Sequence, residues 1–365
     1  MNNSETTRER SDSAGAIRPL ASATSLPASY YTSVDQFEVE RRSAWTNSWV
    51  SVARVEDLVQ PGDFVAATIA SDPIVVTRGR DGGLNAFANV CPHRGSTIVE
   101  GSGTASSLQC PYHNWTFRLD GTLAAAPGMA NVDGFDPADM CLRRFAVDVW
   151  QGWVFVNLSG DALPLAPQLA NLTERVEQYG LEAVKRVASA THDLPVNWKL
   201  VVENFAESYH HAAVHPVTLH RDFPGHKSWS ITEAGEPWTW LDHESISDEI
   251  EAFAVIQIFP AHMFSINRGL GMDWIRVEAL GVDLTRVHYE VFLAPDLAEN
   301  EALIERFNEV AAAVNAEDIV QLKRVQTGLA SRWAVTAPLS PLEEGCWHFR
   351  KWLIENSQTN PQGEK

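Results

Sequence analysis

Two short loops, each carrying one cysteine and one histidine, constrain this chain more than any other feature. They are Cys91-Pro92-His93-Arg94-Gly95 and, with 16 residues between the pairs, Cys110-Pro111-Tyr112-His113-Asn114-Trp115. Two thiolates and two imidazoles are the ligands of a [2Fe-2S] cluster in which two histidines replace two cysteines on one iron. They are also the ligands of a structural zinc ion. Zinc sites of that composition usually pair Cys with Cys and His with His, so one of each per loop favours iron and sulfur. Around the loops, 74–77 and 84–90 read as strands joined by an Asp81-Gly82-Gly83 turn, and 115–119 alternates up to Asp120-Gly121. The pattern predicts a small all-β domain whose ligand loops sit at hairpin tips, with the histidines near the surface.

A second constellation lies in the stretch 197–216, which reads as a helix with Glu203, Glu207 and His210 on one face. His215 precedes Pro216, and the residue before a proline is pushed out of the α region. The helix should therefore end before His215, leaving that imidazole free to swing back towards His210. Two convergent histidines ask for a carboxylate, because a 2-His-1-carboxylate set with open positions is the signature of non-heme Fe(II) oxygenases. Downstream, Glu317 and Asp318 are adjacent on one helix. Val314, Asp318, Leu322, Val325 and Leu329 share an apolar stripe, whereas Glu317 shares its face with Gln321 and Arg324. A carboxylate on a buried stripe is costly unless it is paired or binds metal, so Asp318 is the expected ligand.

Residues 91–121 resemble the Rieske domain of the Rieske non-heme iron oxygenases, whose pattern runs CPHRG, then CPYHGW and a DG turn. Asn114 stands where that family usually carries glycine. The segment 203–216 resembles the family's E-N-F-x-E-x-Y-H-x4-H-P pattern, and 317–329 its E-D-x…V-Q-x-G-L segment. The resemblance runs from about residue 45 to 355. It implies that Cys91, His93, Cys110 and His113 bind the [2Fe-2S] cluster, that His210, His215 and Asp318 bind a mononuclear Fe(II), and that Glu207 is the bridging carboxylate. A glutamate there resembles the choline and carnitine monooxygenase branch. Also implied are O2, a small organic substrate, either a quaternary ammonium or N-methyl compound or an aromatic one, and a homotrimer in which one subunit's cluster serves its neighbour's iron. The other class left open is a Rieske electron carrier without oxygenase activity, from which the complete His210/His215/Asp318 set discriminates.

The expected fold class is α+β: a small all-β Rieske [2Fe-2S] domain over 45–160 and a helix-covered antiparallel-sheet catalytic domain over 161–365. In the latter, 262–267, 274–279 and 286–293 read as strands and 303–329 as a long helix. Residues 1–44 read as lead-in, with 1–28, rich in Ser, Thr and Ala, a mobile tail. A net charge of −19 argues against nucleic acid. No apolar run reaches membrane length and no signal segment opens the chain, so a cytoplasmic protein without a membrane partner is expected. Cys141 and Cys346 remain as free thiols. No G-x-G-x-x-G follows a strand, so electrons from NAD(P)H must arrive through a separate reductase or ferredoxin.

Overall fold

In the computed structural model, which describes residues 13–267 and 270–357, the chain divides into two units: Trp45–Pro167, and the chain on either side of it. Strands in the first unit are β1 (Val50–Arg54), β2 (Asp63–Ile69), β3 (Asp72–Arg78), β4 (Leu84–Ala88), β5 (Ser102–Thr104), β6 (Leu108–Gln109), β7 (Thr116–Phe117), β8 (Leu123–Ala125), β9 (Arg144–Trp150) and β10 (Trp153–Asn157). An antiparallel sheet runs β1-β10-β9-β4-β3-β2-β5, and a smaller one β6-β7-β8. Val75, Phe87, Ile98, Leu108, Trp115, Phe117 and Leu123 close over the two cysteines as one core. Residues 161–167 belong to this unit, a correction to the expected boundary at 160. Leu165 is buried there, and the Trp49 indole donates to Leu163 O at 2.9 Å.

The second unit holds β11 (Lys185–Leu194), β12 (Ser228–Thr232), β13 (Trp238–His243), β14 (Phe253–Ile258), β15 (His262–Asn267), β16 (Gly271–Gly281) and β17 (Leu284–Leu293). They form one antiparallel sheet in the order β11-β17-β16-β15-β14-β13-β12. Register puts Thr239, Gln257, Met263, Ile275 and Tyr289 in one row on one face. Gln257 Nε2 donates to Val202 O at 2.6 Å, which identifies that face as the one beneath the helix Trp198–Asn204. The opposite face, with Trp240, Ile256, Phe264, Trp274 and Phe292, is buried as well. A 29-residue helix Glu301–Leu329 and a 13-residue helix Glu344–Asn356 complete the unit.

Two sequence expectations are corrected. Residues 1–12 lie outside the described residues, but 13–28 pack against the second unit instead of forming a tail: Ala16, Ala23 and Leu26 are buried, Ser25 N donates to Ala337 O at 2.8 Å, and the Trp347 indole donates to Arg18 O at 2.7 Å. Small residues give no periodicity, yet they let the backbone lie flush and do the pairing itself. The helix ends before His215 as expected, but the single helix expected from 197 up to that point is broken into Trp198–Asn204 and His211–Val214. Gly345 and Gly225 allow neighbouring backbone to pack against the break, since a Cβ on either would come within 2.3 Å of the carbonyl oxygens of Ala206 and Ser208. Only glycine allows that approach to the bent backbone.

Because of the break, Glu203 does not share a face with Glu207 and His210. It accepts from Arg350 Nε and Nη2 at 3.0 and 2.8 Å and from the Tyr31 hydroxyl at 2.8 Å. One turn earlier, Lys199 Nζ lies 2.6 Å from Glu40 Oε2, both side chains fully buried. These pairs tie residues 31–40, the helix Trp198–Asn204 and the C-terminal helix together. Truncating one member of a buried pair strands the other charge and costs about 3–5 kcal/mol. Lys199→Met should lower the denaturation midpoint accordingly, as read by circular dichroism in urea, and Glu40→Gln combined with Lys199→Met should restore most of the loss.

Candidate metal centres

The two cysteine-histidine loops are built alike. Cys91 N donates to Ser96 O and Gly95 N to Cys91 O; Cys110 N donates to Trp115 O and Asn114 N to Cys110 O, all between 2.8 and 3.0 Å. Each loop turns through a left-handed residue, Gly95 at φ +73° and Asn114 at φ +60°. Asparagine tolerates that region better than other side chains, so it serves where glycine is usual. Asn89 braces the first loop, accepting from the amides of Ile98 and Val99 and donating to Val99 O.

Both thiols are buried, while the two imidazoles sit half-exposed, their rings 4.6 Å apart. Trp115 stacks on His93 at 4.7 Å and 5°. Burial pushes the Cys91 thiol up; at Cys110 it does so too, but the Tyr112 amide, the Cys91 thiol, the His113 amide and the Ser96 hydroxyl outweigh it and hold that sulfur down. His113 Nδ1 is buried with no hydrogen-bond partner. An orphaned ring nitrogen beside two buried thiols, one held below and one above its ordinary range, is what a metal cluster satisfies.

The group that does gather is His210, His215 and Asp318, one ligand atom from each within 4.8 Å of the others. His215 Nε2 lies 2.9 Å and His210 Nε2 3.6 Å from Asp318 Oδ1. The closer contact lacks hydrogen-bond alignment, and both His215 Nε2 and Asp318 Oδ1 are buried without a hydrogen-bond partner. The other ring nitrogens are engaged: His210 Nδ1 lies 2.7 Å from Glu207 Oε1, and His215 Nδ1 2.7 Å from Glu317 Oε2. Glu207 also accepts from His210 N at 3.1 Å, and the Thr218 hydroxyl donates to Glu317 at 2.7 Å. Burial opposes charge on His215, but the carboxylates of Asp318 and Glu317 outweigh it and hold its pKa up. Burial likewise raises the Glu317 carboxyl, and the donors His215 and Thr218 bring it below the usual range. Two imidazoles, each held by a carboxylate, and one carboxylate oxygen converge as a group that could hold a metal ion in the 2-His-1-carboxylate manner.

Helical phase places Asp318 and Leu322 inward as the sequence stripe requires, although Val325 on the same stripe is 45% exposed. Glu317, which helical phase turns away from the apolar stripe, contacts the outer ring nitrogen of His215. Its only sequence signal is adjacency to Asp318. His211 and His243, assigned no role from sequence, stack at 5.2 Å beside the ligands, and His243 stacks on Phe253 at 4.3 Å. Burial, then the neighbouring His210, lowers the His211 pKa to about 3.

Residues 48–136 match the Rieske [2Fe-2S] domain, and 181–359 the ring hydroxylating alpha subunit catalytic domain. The chain is 32% identical over 326 residues to a carnitine monooxygenase oxygenase subunit of Acinetobacter pittii, covering 85% of this chain and 86% of that protein. It is 26% identical to the chloroplastic choline monooxygenase of Arabidopsis thaliana, covering 93% and 84%. A solved quaternary ammonium Rieske monooxygenase superposes with a TM-score of 0.84 at 30% identity, covering 95% of this chain and 98% of that one. A naphthalene 1,2-dioxygenase from Rhodococcus, at 16% identity and TM-score 0.81, shares the fold. This chain matches both the cluster domain and the oxygenase catalytic domain, and the relatives are oxygenases, which removes zinc and a carrier without oxygenase activity as readings.

Asp318→Ala should leave the protein with cluster iron alone, by elemental analysis. Glu317→Ala should still take up the additional iron but yield it to a chelator at roughly 10–100-fold lower concentration; a wild-type competition curve would show that the His215 contact does not support a metal. At the other centre, Asn114→Ala should destabilise the loop by about 1–2 kcal/mol and Asn114→Gly should not, judged from thermal bleaching of the visible cluster bands.

Proposed function

We propose, given that this chain belongs to the Rieske non-heme iron oxygenases with a ring-hydroxylating alpha-subunit catalytic domain, that Cys91, His93, Cys110 and His113 hold its [2Fe-2S] cluster and His210, His215 and Asp318 its mononuclear iron. The observation that carries the reading is the convergence of two ring nitrogens and one carboxylate oxygen whose remaining imidazole nitrogens are both taken by glutamates. Bound there, the cluster supplies electrons singly and the Fe(II) activates O2. The protein's part is placement. Glu207 and Glu317 fix which nitrogen of each ring faces inward, and Asp318 presents one oxygen from a rigid helix, leaving positions open for O2 beside the substrate.

The substrate in this reading is a trimethylammonium compound, oxidised by monooxygenation. Support comes from the relatives, carnitine and choline monooxygenases and glycine betaine monooxygenase oxygenase subunits, and from a glutamate rather than an aspartate at Glu207. Electrons come from a separate reductase or ferredoxin, and a homotrimer in the cytoplasm is the assembly we assign. We read Glu207 as the carboxylate between a neighbour's cluster histidine and His210; its contact with His210 Nδ1 from the bend between two helices supports this.

Purified protein should contain about three irons and about two acid-labile sulfides per chain. With an added reductase, 18O from O2 should appear in the product of choline, carnitine or glycine betaine; consumption of an aromatic acid and of none of these would overturn the substrate class. Glu207→Gln should keep both centres and slow cluster reoxidation in a single turnover. Reoxidation at the wild-type rate would remove the bridging role, and failure of mixed His93→Ala and His210→Ala chains to complement would remove transfer between subunits.

A further inference from the structure

The face of the catalytic sheet beneath the helices is not uniformly filled. Register continues unshifted from β13 to β16, so His243, Phe253 and Asn267 share one row, and Leu241, Val255, Ser265 and Asp273 the next, on the same face as Gln257. On that face, Met263, Ile275, Val277 and Ala279 are buried. Towards the other end, Asn267, Ser265 and Asp273 retain partial solvent access, as does Tyr289. Their neighbours on the opposite face, Phe264, Ile266, Met272 and Trp274, are buried. The opening is therefore on the inner side, and it is at the end where Phe253 stacks on His243 and His243 on His211, the neighbour of the candidate ligand His210.

An acidic side chain stands on this floor. Asp273 Oδ1 accepts from the amide of Ser265 at 2.8 Å and from its hydroxyl, and Oδ2 accepts from the Tyr289 hydroxyl at 3.1 Å. These are neutral donors, and among the described residues no lysine, arginine or histidine pairs with the carboxylate. Three bonds fix its direction and leave Oδ2 able to take a further partner. A carboxylate with only partial access to water and no paired cation carries a cost, and a positively charged ligand removes it. Asp273 lies two strand spacings, about 10 Å, across the sheet from the strand of Phe253 and one row along it, on the face that carries His243.

We propose that Asp273 is the specificity-determining anion of the substrate site, holding the positive nitrogen of a trimethylammonium compound against the ring of Tyr289. This rests on the substrate class inferred above and adds the residue that selects for charge. Carboxylate and phenol ring act together: the first supplies the countercharge, the second an apolar, electron-rich face for the methyl groups.

The test compares shape-matched ligands by calorimetric binding to the holoenzyme: choline against 3,3-dimethylbutan-1-ol, and glycine betaine against 3,3-dimethylbutanoate. Each neutral-headed partner replaces N+ by carbon. Wild type should prefer the cation of at least one pair by about tenfold or more. Asp273→Asn, which keeps the acceptor for Ser265, should abolish most of that preference while binding the carbon analogue as wild type does, with cluster spectrum and iron content unchanged. Asp273→Ala is a second charge-removing variant should the first not accumulate, and Asp273→Glu should retain the preference. An undiminished preference in Asp273→Asn or Asp273→Ala overturns the assignment while leaving the substrate class standing. Absence of any cation preference in wild type overturns both.

Discussion

An imidazole has two nitrogens, and a metal site depends on which one is left over. Glu207 and Glu317 each engage Nδ1 of a histidine at 2.7 Å, so that both Nε2 atoms face Asp318 Oδ1. A hydrogen bond to a charged group contributes about 1.5–3 kcal/mol, enough to select one ring orientation over its flipped alternative. Much of the second unit serves that arrangement. The bend at 205–210 lets Glu207 reach both the amide and the ring of His210, and Gly225 and Gly345 let neighbouring backbone crowd the bend. Arg350 and Tyr31 then hold Glu203 at the end of the preceding helix, anchoring the bend on one side.

The cluster loops follow a different logic, in which backbone conformation matters more than side-chain pairing. Both close through one left-handed residue and the same pair of amide bonds, and both cysteines lie in a hydrophobic core while the histidines reach towards solvent. Burial of sulfur beside exposed imidazole is suited to a carrier that must be insulated from water on one side and reachable on the other. The single departure from the usual pattern, Asn114, falls at the position where asparagine is the best substitute for glycine.

Local signals made most of the fold legible. Strand β15 falls on 262–267 as its alternation requires, and the long helix begins two residues before the expected 303. Those elements carry strong periodicity. Residues 13–28 do not, because alanine and serine have no face to declare, and their packing is written in backbone hydrogen bonds to 337 and 339. The broken helix was hidden for a related reason: the residues that allow backbone to pack against it, Gly225 and Gly345, lie far away in sequence. At the site, residue types and spacing single out His210, His215 and Asp318, which the fold brings together, whereas the contact of Glu317 with His215 and the stacking of His211 on His243 come only from tertiary placement. Asp273 is the extreme case, a lone acid in β16 whose partners Ser265 and Tyr289 come from the two adjacent strands.

The central claim is that iron occupies two distinct places in one chain, each defined by particular atoms. Anomalous diffraction at the iron edge from crystals of the holoenzyme tests it directly. Two separate sites per chain are expected: a two-iron density between the loops of Cys91/His93 and Cys110/His113, and a single iron bonded to Nε2 of His210, Nε2 of His215 and the carboxylate of Asp318, with Glu207 and Glu317 remaining on the opposite ring nitrogens. An iron bonded instead to Nδ1 of either histidine, or to Glu207 or Glu317, would contradict it.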